Sequence, residues 1–291
     1  MNIAAFLSAH QDTVQVIFYS LVLTSFWIIE ILLLKSNIKD KLSHSGTNFL
    51  FICTALPVQL LVTSAVVFTS VHVTIAHWGL IEQVPLHHNK WFYYIALFVL
   101  LDLGEYCYHV LMHKFDIFWR FHLVHHSDVK VDVSTTVREH PVETAVRTLF
   151  LVLWVFLLGA NFTVLVIRQS FQTVFNIFSH AEFRLPEPVN RVLAILFITP
   201  NLHHVHHHYE LPYTDKNYGD VLSIWDRLFG TYTELKAEDT VFGIDTHMSK
   251  ELNGTYISAL KMPFAKIVRE DNSATSTTNS LSGACSANTP A

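Results

Sequence analysis

The chain has 291 residues, of which 51% are hydrophobic and only 15% charged. Soluble domains carry roughly 25% charged residues, so this composition points to a membrane protein. A net charge of −5 excludes the basic footprint of a nucleic-acid binder. Three scattered cysteines, Cys53, Cys107 and Cys285, form neither a disulfide framework nor a Cys-x-x-Cys pair. Cys53 lies in an apolar run and is expected to be a small buried hydrophobe.

Val14 to Leu34 is an apolar run long enough to cross a bilayer, which takes ~20 residues. It has no basic n-region and no small-residue cleavage site, so it reads as a span and not as a signal peptide. Lys35, Lys39 and Lys41 follow and place this end on the cytoplasmic side. Phe49 to about Ile75 is the second span, with Pro57 as a tolerated kink. The loop from His77 to Lys90 has little positive charge and belongs to the far side. Trp91 to about Leu103 begins a third span, with Trp91, Phe92, Tyr93 and Tyr94 as an interfacial aromatic belt. Its end carries Asp102, Glu105, His109 and His113.

The segment His122 to His140 is polar and cannot span. Val142 to Ile167 is apolar again, and Gly159-Ala160-Asn161 is a turn signal within it. Residues 142–158 and 162–179 therefore form either a helical hairpin ending at His180 or a re-entrant pair. Val189 to Ile198 is a short apolar helix suited to the membrane interface. Asn201 is the expected cap of the helix after Pro200. Asn217-Tyr218-Gly219 is a turn, and Leu222 to Tyr232 is an amphipathic stretch capped by Gly230. From about residue 270 the Ser, Thr, Asn and Ala tail is expected to be disordered. The fold class is all-α, an integral membrane helical protein. Its expected parts are membrane spans in 1–100, a histidine-rich unit in 101–247 that includes the hairpin, and a C-terminal segment, 248–291. Asn161-Phe-Thr and Asn253-Gly-Thr match the glycosylation pattern, which is common by chance.

Histidine clusters dominate the middle of the chain. His109 and His113 share one helical face, since residues three and four apart are neighbours on a helix. His122 stacks over His125 and His126, and His203 over His206 and His207. A lone histidine is ordinarily a core or surface residue; His10, His44, His72, His77, His87, His88 and His247 take that reading. His204 and His208 lack helical partners and are spare. Neutral imidazole offers a lone pair to a metal, and eight rings exceed the demand of one tetrahedral zinc. Two metals side by side fit better. Imidazoles suit iron, copper, zinc or nickel, and the absence of clustered cysteine excludes an iron–sulfur centre. Spacing leaves both redox oxidation of a lipid chain and Lewis-acid hydrolysis open.

The order His-x-x-x-His, His-x-x-His-His, His-x-x-His-His between apolar spans resembles the fatty acid hydroxylase and sterol desaturase superfamily. The segments 138–143 (Arg-Glu-His-Pro-Val-Glu), 178–182 (Phe-Ser-His-Ala-Glu), 215–219 and 225–231 resemble further signatures of that family. The closing segment most resembles the branch that holds alkylglycerol monooxygenase and bacterial desaturase-like proteins. The resemblance implies a non-haem diiron site at the cytoplasmic membrane surface, using O₂ and an external electron donor to hydroxylate or desaturate a lipid. The implied metal ligands are His109, His113, His122, His125, His126, His203, His206 and His207, with His180 as a ninth. His140 is expected to be structural or to support a ligand. Glu143, Glu105 and Glu182, with Asp102 and Asp128, are candidates for orienting ligand rings; Asp226 is expected to be structural.

The implied partners are the membrane, a lipid substrate and a separate donor protein or small reductant, in a bacterial inner membrane or endoplasmic reticulum. No pterin motif accompanies the branch likeness, and the chain has no room for a fused cytochrome domain. Competing functions are a membrane dizinc hydrolase and a non-catalytic metal or haem binder. A transporter would carry polar groups along its spans, and the first two spans have almost none.

Overall fold

A computed structural model describes residues 11–34, 37–85, 88–248 and 253–265. The Ser- and Thr-rich tail, Lys35, His10, His87 and Cys285 lie outside the described residues. Among those described, the fold is helical and contains no strand, only two isolated bridges, Phe197 to Leu222 and His208 to Phe242. The helices are α1 (Gln11–Leu34), α2 (Ile38–Phe49), α3 (Ile52–Ile75), α4 (Lys90–Lys114), α5 (Asp116–His126), α6 (Pro141–Leu158), α7 (Phe162–Ser179), α8 (Glu187–Leu193), α9 (Pro200–His206), α10 (Ile224–Phe229) and α11 (Tyr256–Lys261).

Four helical stretches are long and apolar enough to cross a membrane: Thr13–Leu34, Ile38–Gln83, Lys90–Lys114 and Pro141–Leu158. The chain is an integral membrane protein. Pro57 sits within α3, as the second span requires. Cys53 is exposed and not buried, because it lies on the outer face of α3, where lipid replaces a protein core.

The chain turns between α6 and α7 at the expected place. Gly159 ends α6 in the left-handed conformation, and Asn161 caps α7 by accepting from Val164 N–H. The turn packs on the far ends of α3 and α4. Ser70 donates to Ala160 C=O at 2.9 Å, and the Trp78 indole donates to Phe156 C=O at 3.0 Å. A Cβ at Gly79 would meet the Gly159 backbone at 2.3 Å, so the loop after α3 and this turn touch only because both residues lack one. An 18-residue helix is about 27 Å long, so α7 carries the chain back to the end that α6 left. Leu97, Leu101, Val155, Leu158, Val164 and Leu165 form the core between α4, α6 and α7.

At the other end, α2 lies against the polar segment after α5. Its Lys41 is buried among Glu30, Asp132 and Glu182 at 2.8, 2.8 and 3.1 Å. This lysine satisfies three carboxylates, so its charge does not serve as a free topological signal. His44 bridges Asp128 and Asp132 at 2.8 and 2.9 Å. Arg138 reaches Val124 C=O, the Asn48 side chain, Ser127 and Asn253 C=O. These bonds put residues 37–49 on the same side as the histidine clusters. Phe51, Leu123, Val124, Ile244, Ala259 and Met262 form one apolar cluster there.

The candidate metal centre

Four elements deliver nine histidines to one buried place. The last turns of α4 carry His109 and His113, with ring centroids 5.1 Å apart. Helix α5 carries His122, His125 and His126, and α9 carries His203 and His206 with His207 as its terminal residue. His180 ends α7. Helix α9 starts at Pro200, whose fixed φ suits the first helical position, and its cap is Thr199, which accepts from Leu202 N–H. Asn201 is not the cap. Its side chain instead accepts from Leu185 N–H and donates to Leu185 C=O.

The nine rings divide into two sets. His109, His113, His122, His126 and His206 form one, and His125, His180, His203 and His207 the other. Within each set, one ring nitrogen from every residue lies within 4.8 Å of all the others. His109 and His122 meet Nε2 to Nε2 at 3.1 Å. His180 Nε2 lies 3.1 Å from His125 Nε2 and 2.9 Å from His203 Nε2, which is 3.2 Å from His207 Nε2.

The outer nitrogens fix which inner atoms carry lone pairs. A peptide carbonyl can only accept, so the ring nitrogen facing it must hold the proton. His109 Nδ1–H donates to Tyr218 C=O at 2.8 Å, His206 Nδ1–H to Lys216 C=O at 2.7 Å, and His180 Nδ1–H to Asn176 C=O at 2.8 Å. His122 Nδ1 meets Glu143 at 2.6 Å, and His113 Nδ1 meets Asp215 at 3.3 Å. In all five rings Nε2 is left as the lone-pair atom aimed inward. Orienting a metal-binding imidazole through its other nitrogen is the common arrangement.

Burial pushes the proton affinity of these rings down. His122 falls to about 3 and His180 to about 4, chiefly from desolvation, with Arg147 acting further on His122. Desolvation and neighbouring rings hold His125, His126, His203, His206 and His207 well below the ordinary imidazole range. The clusters are therefore neutral donors at physiological pH. Buried His113 Nε2, His206 Nε2, both His126 nitrogens, His203 Nδ1 and His207 Nδ1 have no hydrogen-bond partner. Buried polar atoms rarely stay unpaired, and a cation at the centre of each set would satisfy the inward-facing ones. The residues fit two metals.

Several other residues singled out from the sequence sit elsewhere. His140 caps α6, where its Nδ1 accepts from Val142 N–H, and its ring packs on Phe121 and Phe264. Of the carboxylates expected to orient a ring, Glu143 alone touches one of either set. Glu105 pairs with Arg168 at 2.7 Å, because α7 presents a buried guanidinium beside it. Glu182 pairs with Lys41. Asp102 accepts from Val221 N–H, Leu222 N–H and the Trp225 indole. Asp128 is taken by His44, Asn48 and Thr135. Asp226 is structural, accepting from Tyr218 N–H, Gly219 N–H and Thr231. His204 donates to Ala181 C=O, and His208 accepts from Val241 N–H, so neither joins a set. Sequence reasoning missed Asp215 on His113 and the three carbonyls. The Asp215 side chain had a signal in the turn motif at 215–219; the carbonyls had none.

The third compact group, Glu30, Asp132 and Glu182, already surrounds the Lys41 ammonium.

Residues 94–231 match the family described as fatty acid hydroxylase. Human (Homo sapiens) alkylglycerol monooxygenase is 31% identical over 161 residues, 55% of this chain and 34% of the relative. Ornithine lipid hydroxylase OlsE of Rhizobium tropici is 27% identical over 218 residues, 74% of this chain and 64% of the relative. The alkylglycerol monooxygenase of Danio rerio is 30% identical over 159 residues, 55% of this chain and 34% of the relative. The chain thus spans about a third of the alkylglycerol monooxygenases and under two thirds of the ornithine lipid hydroxylase. No solved structure matches it. Residues 94–231, which hold all nine clustered histidines, form a domain of the fatty acid hydroxylase family.

Proposed function

We propose that the protein is a diiron oxidoreductase that uses O₂ to hydroxylate a membrane lipid. The observation that carries this is the division of nine neutral rings, seven of them buried, into sets of five and four with no thiolate among them. His109, His113, His122, His126 and His206 would hold one iron, and His125, His180, His203 and His207 the other. When bound, the irons supply the redox chemistry that reduces O₂. The overall change is R–H + O₂ + 2e⁻ + 2H⁺ → R–OH + H₂O, with electrons from an external protein or small reductant. The family and the names of two relatives support a lipid hydroxylation.

The chain's own residues prepare the site. Glu143 and three peptide carbonyls keep protons on the outer ring nitrogens, so the inner lone pairs stay available without rearrangement. Burial excludes bulk water, which protects a redox centre from side reactions. Residues 101–247 would be the catalytic unit, with the spans of 1–100 supporting it. The site would face the cytoplasm, in a bacterial inner membrane or the endoplasmic reticulum.

The test supplies reductant and membrane lipid extract to iron-loaded protein under isotopically labelled O₂. Hydroxylation places one labelled oxygen in the product. Desaturation consumes O₂ and leaves the product unlabelled. Turnover under strict anoxia, or restored by zinc after chelation, would refute O₂ chemistry and favour a dizinc hydrolase.

A further inference from the structure

Helices α8 and α10 are turned inside out. On the inward side of α8 and the turn after it, Asn190 and Ala194 are buried, while Val192 and Ile195 on the outward side are 67% and 63% exposed. Around α10, Ser223 and Asp226 are fully buried, while Leu228 and Phe229 are 69% and 54% exposed. A helix on a water-facing surface turns its apolar side inward. Exposed apolar patches of this kind mark interaction surfaces. The two helices form one bonded unit. Ser223 N–H donates to Leu196 C=O at 3.0 Å, and the Ser223 hydroxyl and Arg227 both donate to Ala194 C=O, at 2.8 and 2.9 Å.

This unit is held against α4 at bilayer depth. Asp102 accepts from the Trp225 indole at 2.8 Å, and Phe229 stacks on Tyr106 with ring centroids 5.3 Å apart. Counted from the aromatic belt at Trp91, a hydrocarbon core of ~30 Å takes about 20 helical residues. Asp102 and Tyr106 fall inside that count. Both also precede His109, so α10 lies roughly 5–10 Å to the membrane side of it at 1.5 Å per residue. On the α7 side, Phe197 stacks on Phe175 at 4.8 Å, and half-exposed Phe171 packs edge-on to Phe98 of α4 at 5.4 Å. The outward face of the unit thus continues an apolar surface that the spans already turn to lipid.

The backbone between the two helices agrees. In hydrocarbon, irregular backbone survives only where the protein satisfies its polar groups. Asp226 accepts from the N–H groups of Tyr218 and Gly219, and Asp102 from those of Val221 and Leu222. Ile198 N–H donates to Val221 C=O at 2.9 Å. A loop in water would need no such pair of buried carboxylates.

We infer that α8 and α10 form a lipid-immersed shelf, a docking surface for the acyl chains of the leaflet on the histidine side. Bilayer lipid is the occupant, because the face lies at hydrocarbon depth and is continuous with the spans. The inference does not depend on the chemistry at the clusters.

The test uses the full chain in phosphatidylcholine nanodiscs, with Cys53, Cys107 and Cys285 replaced by Ala. Spin labels are attached through Ile195→Cys or Leu228→Cys. Leu61→Cys on α3 is the lipid reference, and Lys130→Cys on the polar segment is the water reference. Accessibility is measured to O₂, which concentrates in hydrocarbon, and to a water-soluble nickel chelate. At both shelf positions the O₂-to-nickel ratio should lie within about twofold of Leu61 and about tenfold or more above Lys130. Nickel access like that of Lys130 means that the face meets water, and overturns the inference. Low access to both reagents means that protein covers the face, a second copy or this chain's own termini, and also overturns it. If the labelled variants fail to fold, wild-type protein is photolysed in nanodiscs whose lipid carries a diazirine in the acyl chain. Adducts within residues 189–196 and 228–229 support the shelf, and adducts confined to the four spans overturn it.

Discussion

Replacing Asp226 by Asn tests whether the closing loop holds the histidines in place. The carboxylate is fully buried. Its Oδ1 accepts from Tyr218 N–H at 2.8 Å and Thr231 Oγ1 at 2.7 Å, and its Oδ2 accepts from Gly219 N–H at 2.9 Å. The loop it pins presents Tyr218 C=O to His109 and Lys216 C=O to His206. A Cβ at Gly219 would lie 2.5 Å from Leu222 C=O, so the loop has little room to settle elsewhere. Asn puts an NH₂ against one of these donors and removes the charge from the rest. Hydrogen bonds to a charged group contribute about 1.5–3 kcal/mol each, and the loss of about two of them gives roughly 3–6 kcal/mol. At ~2 °C per kcal/mol for a chain of this size, the thermal midpoint should fall by at least about 6 °C. Loosened support of two ligand rings should also lower metal affinity by about 10–100-fold. Thermal unfolding followed by tryptophan fluorescence, with metal per chain measured on the same samples, gives both numbers. A midpoint within about 2 °C of wild type together with undiminished metal retention would refute the reasoning.

Within box three, His206→Ala and His207→Ala should each remove metal from a different set, whereas His204→Ala and His208→Ala should leave metal content near wild type; elemental analysis checks all four. Burial alone would raise the Asp128 carboxyl, but His44, Arg138 and Thr135 outweigh it and hold the group well below its ordinary value. The ionised form therefore stabilises the fold above about pH 4, and that contribution drains away as pH falls below it. Asp128→Asn should lower stability at pH 7 and flatten the acid-unfolding profile below about pH 4, as circular dichroism would show. Cysteines placed at exposed Ser43 and Lys130 should label from one side of the membrane, and one at Asn89 from the other. Labelling of Ser43 and Lys130 from opposite sides would contradict the way α2 meets the polar segment.

The clustered histidines were legible because helical spacing is written into the sequence itself. His122 with His125 and His126, and His203 with His206 and His207, need only a 3.6-residue period to be grouped. The hairpin turn at Gly159 and the cap at Gly230 were legible for a similar reason, since a left-handed residue selects glycine. The partition of the rings was not. Boxes two and three each send residues to both sets, and that depends on how α4, α5, α7 and α9 cross. The orienting groups were legible only where a side chain does the work. Glu143 could be named in advance, but Lys216 and Tyr218 act through peptide carbonyls that any residue carries. Glu105 and Glu182 were misread because their partners, Arg168 and Lys41, lie 63 and 141 residues away in sequence.

The split of neighbouring residues between the sets has a consequence for how this protein can change over evolutionary time. His125 and His126 stand about 100° apart around α5, as 3.6 residues per turn dictates, and serve different sets. His206 and His207 do the same at the end of α9. Each of these helices therefore acts as a ruler for the separation between the two sets. A one-residue insertion or deletion between the histidines of either helix would rotate ring nitrogens away from both sets at once. Single substitutions can vary the walls around the clusters one position at a time, but a small change in the length of either helix disturbs both sets together. Length variation is left to the loops and termini that carry none of the nine rings.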